Sequence, residues 1–226
     1  EELNQYPHHL VDICDPKESY SSAQFITDTN TLIKAIQKRN HIPLLVGGTM
    51  LYFKALLFGL SELPKANPEI RDRISIEAEH HGWSYMHQQL SKIDPVSANR
   101  IHPNDPQRIQ RALEVFHITG KSLTENQQQN KPKKFPQPTL CVAVVPSSRE
   151  ELRERIAVRF KHMLASGFEQ EVASLMAPGD LDINMPSMRC VGYRQMWQYL
   201  DQQFDYDTMV FKGITATRQL AKRQMT

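Results

Sequence analysis

A chain of 226 residues that is 40% hydrophobic and 23% charged is long enough for one large domain, or for a core domain with an insertion, and is too apolar for a disordered polymer. Lys plus Arg total 27 against 25 for Asp plus Glu, a net charge of +2. That balance excludes a strongly cationic protein and leaves room for a local basic groove. The most apolar runs, Leu51 to Leu60 and Leu140 to Val145, are too short or carry a Lys, so no membrane span is expected.

In chain order, Tyr6 to Asp15 reads as a loop with a short apolar stretch. Ser19, Ser21 and Ser22 offer N-caps for a helix with Phe25, Leu32, Ile33 and Ile36 on one face, which Asn40 ends. Ile42 to Val46 reads as a short buried strand. Gly47, Gly48 and Thr49 follow, and then an apolar segment of helical length. Strand, Gly-Gly-Thr, helix is how an α/β protein presents a ligand loop at the carboxyl end of a parallel strand. The glycines allow a sharp turn and a close approach to the backbone. Thr49 then lies at a helix N-terminus, where free N–H groups attract anions. A Gly-Gly turn alone equally well just joins a strand to a helix.

From Ser61 to Asn130 no strand is expected. Pro68 starts a helix, Gly82 breaks it, and Trp83 to Ile93 forms another. Asp105 caps a helix with Pro106 at its first position, Ile109, Leu113 and Phe116 as its buried stripe, and Gly120 as its stop. Gln127 to Pro138 is polar and proline-rich, a linker. Thr139 to Val145 returns to strand character. Ser147 or Ser148 caps a helix that runs to Gly167, and two or three more helices complete the chain. The organisation expected is therefore residues 1–60 as part of an α/β core, 61–130 as an all-helical insertion, and 131–226 as a core strand with C-terminal helices.

Four basic clusters stand out. Arg155, Arg159 and His162 share a helix face, suited to phosphate or to pairing with Glu151 and Glu154. Gln107, Arg108 and Arg111 occupy the start of the Asp105-capped helix, where cations are unusual. Arg189, Tyr193 and Arg194 surround Gly192, a mixture of guanidinium and ring that suits RNA. Arg218, Lys222 and Arg223 lie on the last helix. RNA binding needs these clusters to converge in space. The nine histidines have no metal-ligand spacing. Cys14, Cys141 and Cys190 form neither a disulfide framework nor a zinc motif, and a reducing, cytoplasmic setting is expected. No signal peptide is visible.

Taken together and in order, PLLVGGTMLYFKALL, RIHPNDPQRIQRALEV, RIAVRFKHML, MRCVGYRQMW and ATRQLAKRQMT closely resemble the bacterial tRNA dimethylallyltransferase family. The resemblance implies a P-loop-kinase-like parallel-sheet core with a helical insertion. The reaction it implies moves a dimethylallyl group from dimethylallyl diphosphate to N6 of the adenine next to the anticodon, assisted by Mg²⁺. It implies Thr49 at the reaction centre and Arg159, with Arg155, facing the diphosphate. It further implies tRNA contacts from Arg71, from Gln107, Arg108, Ile109, Gln110 and Arg111, from Arg189, Cys190, Val191, Gly192, Tyr193 and Arg194, and from Arg218, Lys222, Arg223, Gln224, Met225 and Thr226. The partners implied are the tRNA anticodon stem-loop and the diphosphate, with no membrane, and the protein is expected to be a monomer. One departure is large. The family's GxxxxGK[ST] phosphate loop and the Asp that serves as general base are both missing from this sequence, which also opens on Glu1-Glu2 and closes within a helical pattern. The chain is therefore expected to be a piece of a longer enzyme, with no metal ligands of its own and little or no catalysis. Two other readings fit parts of the pattern: a prenyltransferase of free adenine nucleotides, and a non-catalytic RNA-binding module.

Overall fold

The computed structural model describes residues 6–130 and 134–225. Its eleven described helices are numbered here in chain order. The chain divides into two compact units, the first made of residues 1–52 and 138–226, the second of residues 53–137.

Unit 2 is helical because local stop and start signals agree with its apolar spacing. Its α3 (Pro68–His81) has Asn67 as N-cap, with the Asn67 side chain accepting from the Ile70 N–H, and Pro68 at its first position. Gly82, at φ 83°, separates it from α4 (Trp83–Ile93), a backbone conformation that costs glycine little. Asp94 caps the short α5 (Pro95–Arg100). Its carboxylate also takes the Thr124 N–H at 2.9 Å and the Thr124 hydroxyl at 2.7 Å, tying α5 to α7 (Leu123–Gln129). Between them lies α6 (Pro106–Thr119), capped by Asp105 and ended by left-handed Gly120. Helices α3, α4 and α6 pack on one another around Ile74, Met86, Leu90, Ile109, Leu113 and Val115. Phe116, expected in this stripe, is only half-buried, while Ala112, Glu114 and Val115 are fully buried.

Unit 1 contains α1 (Ser22–Lys38), started by a Ser21–Gln24 capping box, and the first residues of α2 (Met50–Phe58). Phe25 of α1 stacks on Tyr52 of α2 at 4.5 Å between ring centres. Its core is built by α8 (Arg149–Ala165), α9 (Phe168–Met176), α10 (Tyr193–Leu200) and α11 (Tyr206–Gln224) around Phe160, Phe168, Val172, Met196, Trp197 and Met209. Helices α8 and α11 approach closely at Gly213. A Cβ there would stand 2.8 and 2.9 Å from Cε1 and Cε2 of Phe160, and closer still to Cζ.

The expected strands are not formed among the described residues. Among the described residues there is no strand, and Ile42–Val46 and Thr139–Val145 are irregular. The physical reason is the lack of a ladder. A strand exists only as part of a ladder of paired N–H and C=O groups, and no ladder is formed among the described residues. Their side chains show it: Ile42 is 92% exposed and Val144 96%. The parallel sheet that the sequence suggests is thus not formed by the described residues.

Candidate functional site

In unit 1 the GGT loop leads directly into α2. Thr49 precedes the first helical residue, Met50, and its carbonyl accepts the Tyr52 N–H at 3.0 Å. Neither Gly47 nor Gly48 has a positive φ, so the glycines are not needed for a left-handed turn. Gly48 serves close approach instead. Gln224, at the end of α11, donates from Nε2 to the Gly48 carbonyl at 3.1 Å. A Cβ on Gly48 would stand 3.0 Å from that same nitrogen. The structure therefore brings together two segments 176 positions apart, the loop and the last helix.

On α8, Arg155 and Arg159 are both exposed. Arg155 lies 3.9 Å from Glu151, a contact too long and too exposed to hold it. Arg159 has no hydrogen bond or ion pair within the described residues, so its guanidinium is available to an anion.

The 189–194 segment divides. Arg189, Cys190 and Arg194 are exposed, and Gly192 is buried with φ 97°. The Tyr193 ring packs edge-on to Phe168 at 5.2 Å, and its hydroxyl donates to Glu171. Burial and that carboxylate push the Tyr193 phenol up to about 12. Both partners belong to α9, so Tyr193 holds α10 against that helix. Val191 is half-buried, and Arg218, Lys222, Arg223, Gln224 and Met225 are exposed along α11. Thr226 lies outside the described residues.

Unit 2 holds an arrangement that sequence reasoning missed. Glu114 of α6 is 0% exposed. Its carboxylate accepts from Arg71 Nε at 2.8 Å, Arg71 Nη2 at 3.2 Å, Arg111 Nη1 at 2.5 Å and the Asn67 N–H at 2.8 Å. Burial pushes this carboxyl up, but the hydrogen bonds from Arg71, Arg111 and Asn67 outweigh it and hold it below the usual range. Arg111 is further fixed by donating from Nη2 to the Pro64 carbonyl at 2.7 Å. Arg71 and Arg111, 40 positions apart in the numbering, thus share one anchor and keep the rest of their guanidinium edges for other partners. The available signal was a glutamate inside the run Ile109 to Val115, where a solvated charge does not belong.

The neighbours of Arg111 on α6 behave differently from one another. Arg108 is 74% exposed and pairs with Asp105 at 2.7 Å. Gln110 turns inward, donating to the Arg71 carbonyl at 3.2 Å and the Ser75 hydroxyl at 2.9 Å. Ile109 is fully buried, which corrects its assignment as an RNA contact: it is core, and its apolar side chain is what seats the helix. Gln107 is exposed. Among the described residues, there is no group of three or more His, Cys, Asp or Glu that could hold a metal ion.

Exposed guanidiniums in both units, and a Gly-Gly-Thr loop ahead of a helix, are groups suited to phosphorylated ligands. Comparison with known proteins specifies the class. The family model described as IPP transferase matches residues 1–226, and the chain belongs to that family. It is 33% identical to the tRNA isopentenylpyrophosphate transferase of Bacillus halodurans, with TM-score 0.63, covering 99% of this chain and 68% of that one. The corresponding enzyme of Staphylococcus epidermidis is 31% identical, TM-score 0.62, with 99% and 72% covered. A eukaryotic dimethylallyltransferase acting on tRNA is 29% identical, TM-score 0.76, with 96% and 55% covered.

Proposed function

We propose that this chain is the tRNA-gripping and diphosphate-facing part of a tRNA dimethylallyltransferase. The observation that carries the reading is the family match along all 226 residues, and it is supported by the guanidiniums left open in both units. In the reaction, the adenine N6 amine attacks C1 of the dimethylallyl group. The N–C bond forms, the C–O bond to diphosphate breaks with its electron pair leaving on oxygen, and the amine loses a proton. Arg159, with Arg155 one turn away, is suited to neutralise the charge gathering on diphosphate. Thr49, with its loop latched to Gln224, is suited to stand at the reacting atoms. The adenine must leave its stack to reach them. Arg71, Gln107, Arg108 and Arg111 in unit 2, and Arg189, Arg194 and the α11 cations in unit 1, are suited to the phosphates and bases of the anticodon stem-loop.

Magnesium, when bound, would add charge neutralisation at the diphosphate, but no step above runs through it. No GxxxxGK[ST] occurs in these 226 residues, so the chain by itself lacks the main phosphate cradle and turns over little or no substrate. In the reading proposed here, the apolar runs at 42–46 and 139–145 are strands of a parallel core sheet when that sheet is complete, and the setting is cytoplasmic. A nucleotide prenyltransferase has no use for the basic helical unit 2.

The test is competitive binding. The chain is titrated with unmodified tRNA, with the isolated anticodon stem-loop and with adenosine monophosphate. The reading expects both RNAs to bind and the nucleotide not to displace them. Nucleotide binding without RNA binding would overturn it.

A further inference from the structure

Arg100 was not singled out by any sequence pattern, yet it lines one concavity with Arg108 and Arg111. We infer that this concavity, of about 360 Å³ and floored by Ile101 and Leu123, is a binding site for a phosphodiester of the RNA backbone. The inference rests on the proposed RNA grip and adds to it a residue and a location.

Each guanidinium reaches the concavity from a different support. Arg100 ends α5, where Nη2 donates to the Gln127 carboxamide at 3.0 Å and to the Ser97 hydroxyl at 3.4 Å. The turn that carries it is braced by His87, whose Nε2 lies 3.0 Å from the Ala98 carbonyl and 2.9 Å from the Ile101 carbonyl. Arg108 is steered by Asp105, and Arg111 is fixed by Glu114 and Pro64. Arg71 shares the Glu114 anchor, so four guanidiniums here face two carboxylates. One of those, Glu114, is fully buried and already paired with Arg71 and Arg111. Neither Arg100 partner is charged, so its full positive charge remains uncompensated. The floor is apolar, with Ile101 and Leu123 both under a tenth exposed, which suits a ribose. Guanidiniums held in place before binding lose little freedom on taking a phosphate.

A free diphosphate carries the same chemistry as a backbone phosphate, so the experiment has an arm for each. Affinity of the whole chain for a short RNA hairpin is measured between about 50 and 200 mM salt, for wild type, Arg100→Ala, Arg100→Lys and Arg108→Ala, and again with inorganic diphosphate as competitor. Losing one phosphate contact lowers the magnitude of the log–log salt slope by about 0.7 to 0.9. Over a fourfold rise in salt, Arg100→Ala therefore loses roughly threefold less affinity than wild type. Arg100→Lys keeps the wild-type slope, because it keeps the charge. A merely structural role would make the two Arg100 variants alike. Diphosphate at concentrations that do not disturb wild-type folding leaves RNA binding unchanged. If Arg108→Ala lowers the slope and Arg100→Ala does not, the site is refuted and the RNA grip stands. If neither lowers it, the RNA grip itself fails. If diphosphate displaces the hairpin through Arg100, the site takes a small phosphate and the backbone assignment is overturned.

Discussion

Replacing Glu114 by Gln keeps the shape of the side chain and removes the charge that two guanidiniums converge on. Taking one partner from a fully buried ion pair costs about 3–5 kcal/mol. Here the carboxylate is 0% exposed, but the Arg71 and Arg111 side chains are 42% and 29% exposed, so water takes over part of their solvation. The discounted cost is about 2–3 kcal/mol, of the order of one or two charged hydrogen bonds. It falls on unit 2 alone, because Asn67 caps α3 and Glu114 sits in the middle of α6. Amide hydrogen exchange read by mass spectrometry resolves the two units. Protection across residues 106–119 should fall roughly 30- to 150-fold, while α8 and α11 keep theirs. The pH dependence has a fixed sign. A folded-state carboxyl below its ordinary value contributes stability that is fully present above about pH 4.3 and is lost as pH falls through the folded value. Wild-type protection of α6 should therefore drop on acidification below that point, with a step that Glu114→Gln lacks. Exchange in residues 106–119 unchanged within threefold, with the acid step retained, would refute the reasoning.

Gly213→Ala drives a methyl into the Phe160 ring and should destabilise unit 1 by about 1–3 kcal/mol. Thermal unfolding reads the loss, and adding Phe160→Leu should recover part of it. In enzyme competent for turnover, Arg159→Ala should weaken diphosphate binding or slow the chemical step by about 1.5–3 kcal/mol with tRNA affinity kept. Prenylation kinetics over a range of dimethylallyl diphosphate concentrations check this, and wild-type constants would return Arg159 to a solvated face. Thr49→Ala should leave the salt dependence of tRNA binding alone and lower single-turnover prenylation of bound tRNA, opposite to what Arg108→Ala does. Gln224→Ala releases the Gly48 carbonyl and should slow the same step without unfolding α11, as judged by circular dichroism.

Helix ends were legible because they are local. Pro68, Asp105-Pro106, Gly120 and Ser148 each signal a start or stop within a few residues, and the structure uses all of them. Features that depend on distant partners were not. Ile42–Val46 and Thr139–Val145 have the composition of strands, but a ladder requires a neighbour that composition does not reveal. Arg71 and Arg111 were each visible as cations, while their shared anchor is a contact across 43 positions. Arg100 belongs to no motif in the sequence, and its partners Ser97 and Gln127 come only from the fold. Ile109 lay within a basic segment and was read with it, although its apolar spacing already placed it inward. The Gly-Gly-Thr loop was found for its glycines, and the residue that exploits Gly48, Gln224, came only from the fold.

The most direct test of the functional claim is nucleoside analysis. Unmodified tRNA is incubated with dimethylallyl diphosphate, magnesium and the complete gene product, and in parallel with residues 1–226 alone. The RNA is then digested and its nucleosides separated by mass. The account predicts N6-dimethylallyladenosine from the adenine 3′ of the anticodon with a product that carries a GxxxxGK[ST] loop, and little or none with residues 1–226 alone. A dimethylallyl group found on free adenine nucleotides and absent from tRNA would contradict it.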